Sequence, residues 1–514
     1  MINRNEVFMT GRIRILATSD VHGYIYPHSY ADGSSKDIGL AKIKSLVNIL
    51  RDENTLVLDN GDVLEGSPLM YHHFVKTPDE VSPITRAMAD LNYDYINVGN
   101  HDFNYGEEAL MMHLQNAGAP CITSNFFYHG KPFGPNYVIR QVAGKKIAIF
   151  GIVTQYIPNW EKKSHIKHMR FVDAYLSAEA TVKLIKRLEN PDYIICMYHG
   201  GFERDLVNGR LTEDETGENE GYKILRNIRG IDVMISGHQH RTEAGKLYDT
   251  YYTQTAANGA ELACIDIYPD NNTIEPRILK ADIDADPEML KLFEREEATC
   301  QAWLDQTLGT TNVDLRVTDE FDARLHKSQV ITFLNKVQQE KTGADLSSNA
   351  LFLGATGFGR DITMRDLVST YVYPNTTVVK KITGKILREY LEKTAEFWMI
   401  HNEHIIVNPS YDWPKPQHYN YDMVDGIEYT IKVSNSVGHR ITSLTYQGND
   451  VTDDMEFTIA MNNYRATGGG NYNMIKEAPT VSTDLSSMVE LLANYIQEHK
   501  VIDFEPVNNI TVIK

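Results

Sequence analysis

Up to about residue 280 the chain alternates short apolar runs with amphipathic stretches. The runs RIRILATSD, TLVLDNGD, YDYINVGNHD, KIAIFGIV, YIICMYHGG and DVMISGHQH are rich in β-branched and aromatic residues, and most break off at Gly, Asp, Asn or His. Each predicts a buried strand. Between them, IGLAKIKSLVNILRDE and YLSAEATVKLIKRLEN predict helices. This alternation predicts an α/β fold with strands buried beneath helices.

Residues 286 to 306, DPEMLKLFEREEATCQAWLDQ, predict one amphipathic helix started by Asp286 and Pro287. From about residue 312 a second α/β pattern runs to the end. A chain of 514 residues exceeds what one hydrophobic core supports. The expected division is therefore a first domain over 1–283, a linker helix over 284–311 and a second domain over 312–514. The aromatic and Pro-rich stretch 409–422 predicts a long surface loop.

Polar clusters stand at the carboxyl ends of the predicted strands, where α/β sheets bind their ligands. They are Asp20-Val-His22, Gly61-Asp62, Gly99-Asn100-His101-Asp102, His199-Gly-Gly and Gly237-His238-Gln-His240. Taken singly, each is an ordinary turn or a core histidine. Together, following buried strands of one domain, they predict a metal centre. Carboxylate, amide and imidazole donors suit Mn, Fe, Co or Zn. Alternate residues point the same way, so Asp20 with His22, and His238 with His240, can each chelate one region. Asp62 is the candidate bridge between two divalent ions about 3.5–4 Å apart. Two such ions polarise phosphoryl oxygens and activate water, so the constellation predicts a metal-dependent phosphoesterase.

Composition narrows the partners. Lys+Arg total 50 against 69 Asp+Glu, a formal net charge of −19. That balance argues against nucleic-acid polymers and anionic membranes. It still admits a small anionic substrate, because bound cations reverse the local field. No run approaches the roughly 18 apolar residues of a membrane-spanning helix. The start MINRNEVFMT lacks a secretory leader, so the chain as written is expected to be cytoplasmic, or periplasmic or extracellular if a signal has been removed. Cys121, Cys196, Cys264 and Cys300 form no CxxC pair and are expected to be buried thiols. Nothing in the pattern marks an oligomeric state.

The ordered set DxH, GD, GNH[D/E], HGG and GHxH resembles the calcineurin-like metallophosphoesterase superfamily. The resemblance implies a four-layer α/β/β/α sandwich. It implies one ion held by Asp20, His22, Asp62 and His240, and another held by Asp62, Asn100, His199 and His238. It places His101 outside the metal shell, on the phosphate or the leaving oxygen. The segments Tyr371-Val-Tyr373-Pro-Asn375-Thr, Tyr421-Asp-Met-Val-Asp-Gly426 and Asn462-Asn-Tyr464-Arg-Ala-Thr-Gly-Gly-Gly470 resemble the C-terminal 5′-nucleotidase domain. The combination resembles the bacterial family of 5′-nucleotidases and 2′,3′-cyclic-nucleotide phosphodiesterases. It implies that Tyr373 and Tyr464 sandwich a nucleobase, where stacking is worth about 1–3 kcal/mol per base. Asn375 and Asn462 are candidate contacts to the base. Gly469, within Gly468–Gly470, is expected to let backbone approach the ligand. Arg360 and Arg365, in GATGFGRDITMRD, are candidates for phosphate or ribose.

Family 5′-nucleotidases usually carry Asp three residues after the catalytic His, where this chain has Asn104. An asparagine carbonyl orients a histidine but stabilises its protonated form less than a carboxylate does. The NHxFNYG form, together with the YxYPNT and NNYRATGGG motifs, resembles most the 2′,3′-cyclic-nucleotide 2′-phosphodiesterase/3′-nucleotidase branch. It implies hydrolysis of 2′,3′-cyclic nucleotides to 3′-nucleotides, then to nucleoside and phosphate, with no covalent enzyme intermediate. The alternatives are a 5′-nucleotidase with nucleoside diphosphate or sugar-nucleotide hydrolase activity, and a nucleotide-binding sensor without turnover.

Overall fold

Strand Ile13–Thr18 sends Ile13, Ile15 and Ala17 to one face and Arg14 and Leu16 to the other, and all six residues are buried. A strand buried on both faces belongs inside a layered α/β stack. In a computed structural model, which describes residues 11–514 except 214, 374, 414, 415 and 504, it is the middle strand of a five-stranded sheet. The leader reading of residues 1–10 lies outside the described residues. Two compact units divide the chain, Met1–Cys300 and Gln301–Lys514.

In the first unit, Ile13–Thr18, Thr55–Asp59 and Tyr95–Ile96 run parallel, and Glu261–Tyr268 with Thr273–Lys280 close the sheet antiparallel. A second sheet of six strands has Lys145–Val153, Tyr193–His199, Val233–Ser236 and Thr250–Gln254 as its parallel centre. Ile13, Ile15, Leu56, Leu58, Ile147, Ile149, Ile195 and Ile235 share one core between the sheets. Alternate residues Phe150, Ile152, Ile194 and Cys196 face the other way, against Ala178, Val182 and Ile185 of helix Ala174–Leu188. Helix Leu40–Leu50 covers the first sheet with Leu40, Ile43, Leu46 and Val47 buried. The layers are thus α/β/β/α, as the resemblance implied. Both parallel sheets direct their carboxyl ends to the same edge of the stack, and that edge carries the polar clusters. All four cysteines are buried thiols, as expected.

The stretch 286–306 is not one helix. Asp286 starts it as expected, its Oδ1 accepting the Met289 N–H at 2.8 Å. Helix Pro287–Leu292 then ends at Phe293, whose ψ of 11 leaves the helical range, and Glu294–Leu304 follows as a second helix. Phe293 is fully buried, and Glu297 is hydrogen-bonded by Tyr30. Packing into the first unit sets the break.

The second unit is α/β as well. Its central sheet is ordered Asp422–Asp425, Leu346–Ala350, Glu456–Asn462, Thr376–Thr383, Thr480–Ser487. Helices Gln329–Thr342, Gly384–Ala395 and Met488–His499 bury their apolar sides in this unit. The stretch 409–422 departs from a plain surface loop. It forms two single turns, Pro409–Tyr411 and His418–Asn420, and buries Tyr411 and Tyr421, the latter stacked on Phe397 at 4.7 Å. Among the described residues no helix is long and apolar enough to cross a membrane.

One buried ion pair ties the first sheet together. Asp266 accepts from Arg14 Nε at 2.7 Å and Nη2 at 2.9 Å, directly opposite it in register. Removing one partner of a buried pair strands the other charge and costs about 3–5 kcal/mol. Asp266→Ala is expected to lower stability by that amount in urea unfolding followed by tryptophan fluorescence.

Candidate metal centre

Each strand that reaches the carboxyl edge hands over a donor. Asp20 and His22 follow Ile13–Thr18, Asp62 follows Thr55–Asp59, and Asn100 opens a short 3-10 turn after Tyr95–Ile96. From the second sheet come His199, the last residue of Tyr193–His199, and His238 and His240 after Val233–Ser236. The structure gathers these seven predicted residues at one place. Asp20, His22 and His240 offer ligand atoms within 4.8 Å of one another, and so do Asp62, His199 and His238. Asn100 adjoins the second group, with Oδ1 2.7 Å from His238 Nδ1.

Three observations test whether these groups fit metal ions. First, the rings are set for ligation. His22 Nδ1 lies 2.8 Å from the Glu65 carbonyl and His199 Nδ1 lies 2.8 Å from the Asn60 carbonyl. Each Nδ1–H therefore donates to backbone, which turns Nε2 toward the other donors, where a bound ion would take its lone pair. His22 Nε2 faces His240 Nε2 at 3.1 Å. His199 Nε2 and Asp62 Oδ2 lie 3.1 Å apart at full burial, yet neither has a hydrogen-bond partner among the described residues. Buried polar atoms left so are rare.

Second, the carboxylates keep their charge. Burial alone would raise Asp62, but the positive charge of His199 and His101 outweighs it and holds the carboxyl well below its usual range. Burial likewise opposes ionisation of Asp20, and the hydrogen bond from His240 with the charge of His199 and His240 holds it low. Two ionised, fully buried carboxylates among imidazoles form a donor set that calls for cations.

Third, the backbone is strained where the donors sit. Asp20, His22, Asp62, His238 and His240 all lie in the left-handed region, with φ of 57, 51, 60, 71 and 56. Non-glycine residues held there cost about 1–3 kcal/mol each and gather at functional sites. The donor set, its burial and its backbone fit two divalent ions.

The loops holding this geometry are tied by Asp102, whose carboxylate accepts the N–H groups of Asp62, Val63, Leu64 and Gly99 at 3.1, 2.7, 3.0 and 2.7 Å. Gly99 passes so close that an added Cβ would lie 2.2 Å from Asp62 Oδ1. Below them, Asn60 Nδ2 donates to the Tyr198 carbonyl and joins the two sheets.

His101 stands beside the donors. Its N–H donates to Asp62 Oδ1 at 2.7 Å. Its ring Nδ1 meets Asn104 Oδ1 at 2.7 Å and Glu65 Oε2 at 3.1 Å. Asn104 Nδ2 donates to Glu161 Oε2 at 2.8 Å, which fixes which way the amide faces. Both neighbours of Nδ1 are acceptors, so Nδ1 carries a proton. Burial opposes a charged ring here, but Asp62, Glu65 and the hydrogen bonds to Glu65 and Asn104 push His101 up to about 10. The carboxylate that position 104 lacks is supplied by Glu65. The sequence reading missed Glu65, and also Glu218 and Trp160. Glu218 Oε1 lies 3.0 Å from His238 Nε2, and the Trp160 ring stacks on His238 at 5.5 Å.

The second unit gathers the aromatic candidates. Tyr373 and Tyr464 are partly exposed, and Tyr419, not anticipated from sequence, sits between them edge-on, 6.5 Å from Tyr373 and 6.1 Å from Tyr464. Arg465 organises this cluster. It is buried, pairs with Asp422 at 2.8 and 3.0 Å, and donates to the Gly469 and Tyr419 carbonyls. A Cβ at Gly469 would lie 2.6 Å from the Tyr464 ring, so this glycine makes room for the tyrosine. Asn462 is buried and caps the helix Asn463–Ala466, its Oδ1 accepting Arg465 N–H at 2.7 Å. Asn375 is half-buried, and its carbonyl accepts Met488 N–H at 2.8 Å. Arg360 is exposed. Asp305 and Gln301 take the Arg365 guanidinium at 2.7 Å each.

His101→Ala is expected to keep the same metal content as the parent by elemental analysis while lowering kcat for phosphate release about 10²–10⁴-fold. Loss of metal together with activity would place His101 in the coordination shell. Glu65→Gln keeps the shape and removes the charge beside His101, and is expected to lower kcat about tenfold, roughly 1.4 kcal/mol.

Comparison with known proteins gives the same reading for both units. Residues 13–242 match the calcineurin-like phosphoesterase family, and residues 307–477 match the 5′-nucleotidase C-terminal domain. The trifunctional nucleotide phosphoesterase of Bacillus subtilis is 25% identical over 97% of this chain, which spans 39% of that protein's length. The 2′,3′-cyclic-nucleotide 2′-phosphodiesterase/3′-nucleotidase of Haemophilus influenzae is 26% identical over 94% of this chain and 84% of its own length. A Staphylococcus aureus 5′-nucleotidase candidate, solved with alpha-ketoglutarate, is 31% identical, with a TM-score of 0.91 over 98% of this chain and 100% of that one. Two domains matched in order, and a solved relative alike along its whole length, establish that the chain belongs to the bacterial 5′-nucleotidase/2′,3′-cyclic-nucleotide phosphodiesterase family.

Proposed function

We propose that the protein hydrolyses 2′,3′-cyclic nucleotides to 3′-nucleotides and then removes the 3′-phosphate, giving nucleoside and phosphate. The convergence of two three-donor groups, one built on Asp20 and the other on Asp62, carries the phosphoesterase reading. The cyclic and 3′-nucleotide branch is supported by the His101-x-x-Asn104 turn and by the name of the Haemophilus influenzae relative.

Asp20, His22, Asp62 and His240 would hold one ion, and Asp62, Asn100, His199 and His238 the other. When bound, such a pair polarises phosphoryl oxygens and lowers the pKa of water. The chain's own residues do the rest. Asn104 and Glu65 hold the His101 Nδ1 proton, which leaves Nε2 as the ring atom for the substrate. Glu65 and Asp62 favour the protonated ring, so His101 donates a proton to the leaving oxygen as water attacks phosphorus from the opposite side. In the first hydrolysis that oxygen is O2′; in the second it is O3′. The base would stack on Tyr373 and Tyr464, each of which Tyr419 meets edge-on.

A panel measuring phosphate and nucleoside release tests the assignment. Turnover of 2′,3′-cAMP and 3′-AMP with Mn, Co or Zn, abolished by chelator, is expected. Release from 5′-AMP alone would make the protein a 5′-nucleotidase. Tyr464→Ala is expected to raise KM for 3′-AMP about 5- to 150-fold, equivalent to about 1–3 kcal/mol of stacking. Hydrolysis of p-nitrophenyl phosphate, which carries no base, should be unchanged.

A further inference from the structure

A second kind of site lies away from the seven donors. Strand Phe126–Tyr128 pairs antiparallel with Met169–Phe171, Tyr128 opposite Met169. The pairing continues one residue further, the His129 N–H donating to the His168 carbonyl at 2.8 Å. That contact stacks the two imidazoles, with centroids 4.4 Å apart and planes 22° from parallel. Glu107, in the first turn of helix Gly106–Asn116, sits against both rings. Its Oε2 is 2.9 Å from His168 Nδ1, and its Oε1 is 3.9 Å from His129 Nε2. The Tyr128 hydroxyl donates to Oε1 and fixes the carboxylate. Three ligand atoms, one from each residue, lie within 4.8 Å of one another.

From this geometry we propose that Glu107, His129 and His168 form a third, peripheral binding site for a divalent transition-metal ion such as zinc. Two neutral imidazoles and one carboxylate make a three-ligand set with positions left for water, which zinc accepts. The donors are also preset. His129 is held at φ 48 in the turn before Gly130, so the strand pairing and the turn position its ring before any ion arrives. The hydrogen bond from Tyr128 to Glu107 is the kind of outer contact that orients a metal-ligating carboxylate.

The site also has a mechanical connection. His168 closes a short segment that begins near Glu161, and the Glu161 carboxylate holds Asn104 behind His101. Glu107 lies three residues after Asn104 on the other side. An ion between Glu107 and His168 would pin this segment to helix Gly106–Asn116.

The test is a count of total bound metal in full-length, tag-free protein, equilibrated with manganese and then with buffered low-micromolar zinc. The His129 and His168 side chains are 56% and 40% exposed, so replacing them removes little packing. His129→Asn keeps a residue that tolerates positive φ. The double variant His129→Asn/His168→Ala is expected to bind one ion fewer per chain than the parent, and Glu107→Gln likewise, with melting temperature in chelator unchanged for both. Equal metal counts in parent and variants would overturn the proposal. The readout is a difference of one equivalent, so it stands or falls separately from the number of ions held by the Asp62 centre.

Discussion

Two carboxylates, Asp20 and Asp62, are fully buried, and the imidazoles around them hold both below the usual carboxylate range. A buried anion is tolerated only where positive charge or strong donors surround it. Here the surroundings include His22 and His199, whose Nδ1 protons turn away to backbone carbonyls and whose Nε2 atoms face inward. The backbone beneath them bears the cost, with five donors in the left-handed region. The two stacked sheets exist, functionally, to hold that arrangement. Asp102 gathers the N–H groups of the Asp62 loop, and Asn60 bridges to the second sheet.

The same logic recurs in the second unit, with the charges reversed in role. There the buried cation Arg465 is fixed by Asp422, and its remaining donors hold the Gly469 and Tyr419 carbonyls. The consequence is a set of three tyrosines whose spacing is maintained from behind. Tyr390 and Ser348 complete the hydrogen bonding of Asp422. An aromatic surface built this way fits the proposed stacking on a nucleobase.

Much of this was legible in the sequence, for a physical reason. Metal donors at strand ends lie within two or three residues of a buried apolar run, so strand and donor are read together, as in RIRILATSD-V-H. The α/β layering followed from the same alternation, and the family resemblance implied its four layers. What stayed hidden depends on contacts between distant segments. Glu65 reaches His101 across 36 positions, and Glu218 reaches His238 through a loop with no strand beside it. Tyr419 lies in a stretch whose prolines and aromatics suggested an open loop, although neighbouring Tyr421 is buried against Phe397. The helix break at Phe293 could not be read from periodicity, because the residue keeps its place in the apolar pattern while its backbone turns. Arg365 shows the converse. It sits beside a glycine-rich stretch that suggested a ligand, and it is bound to Asp305.

The account rests on two ions sharing the Asp62 carboxylate. Electron paramagnetic resonance of manganese-loaded protein measures that sharing directly. An exchange-coupled dinuclear signal in the parent, replaced by the six-line signal of isolated ions in Asp62→Asn, is the expected result. Isolated, uncoupled manganese in the fully loaded parent would contradict it.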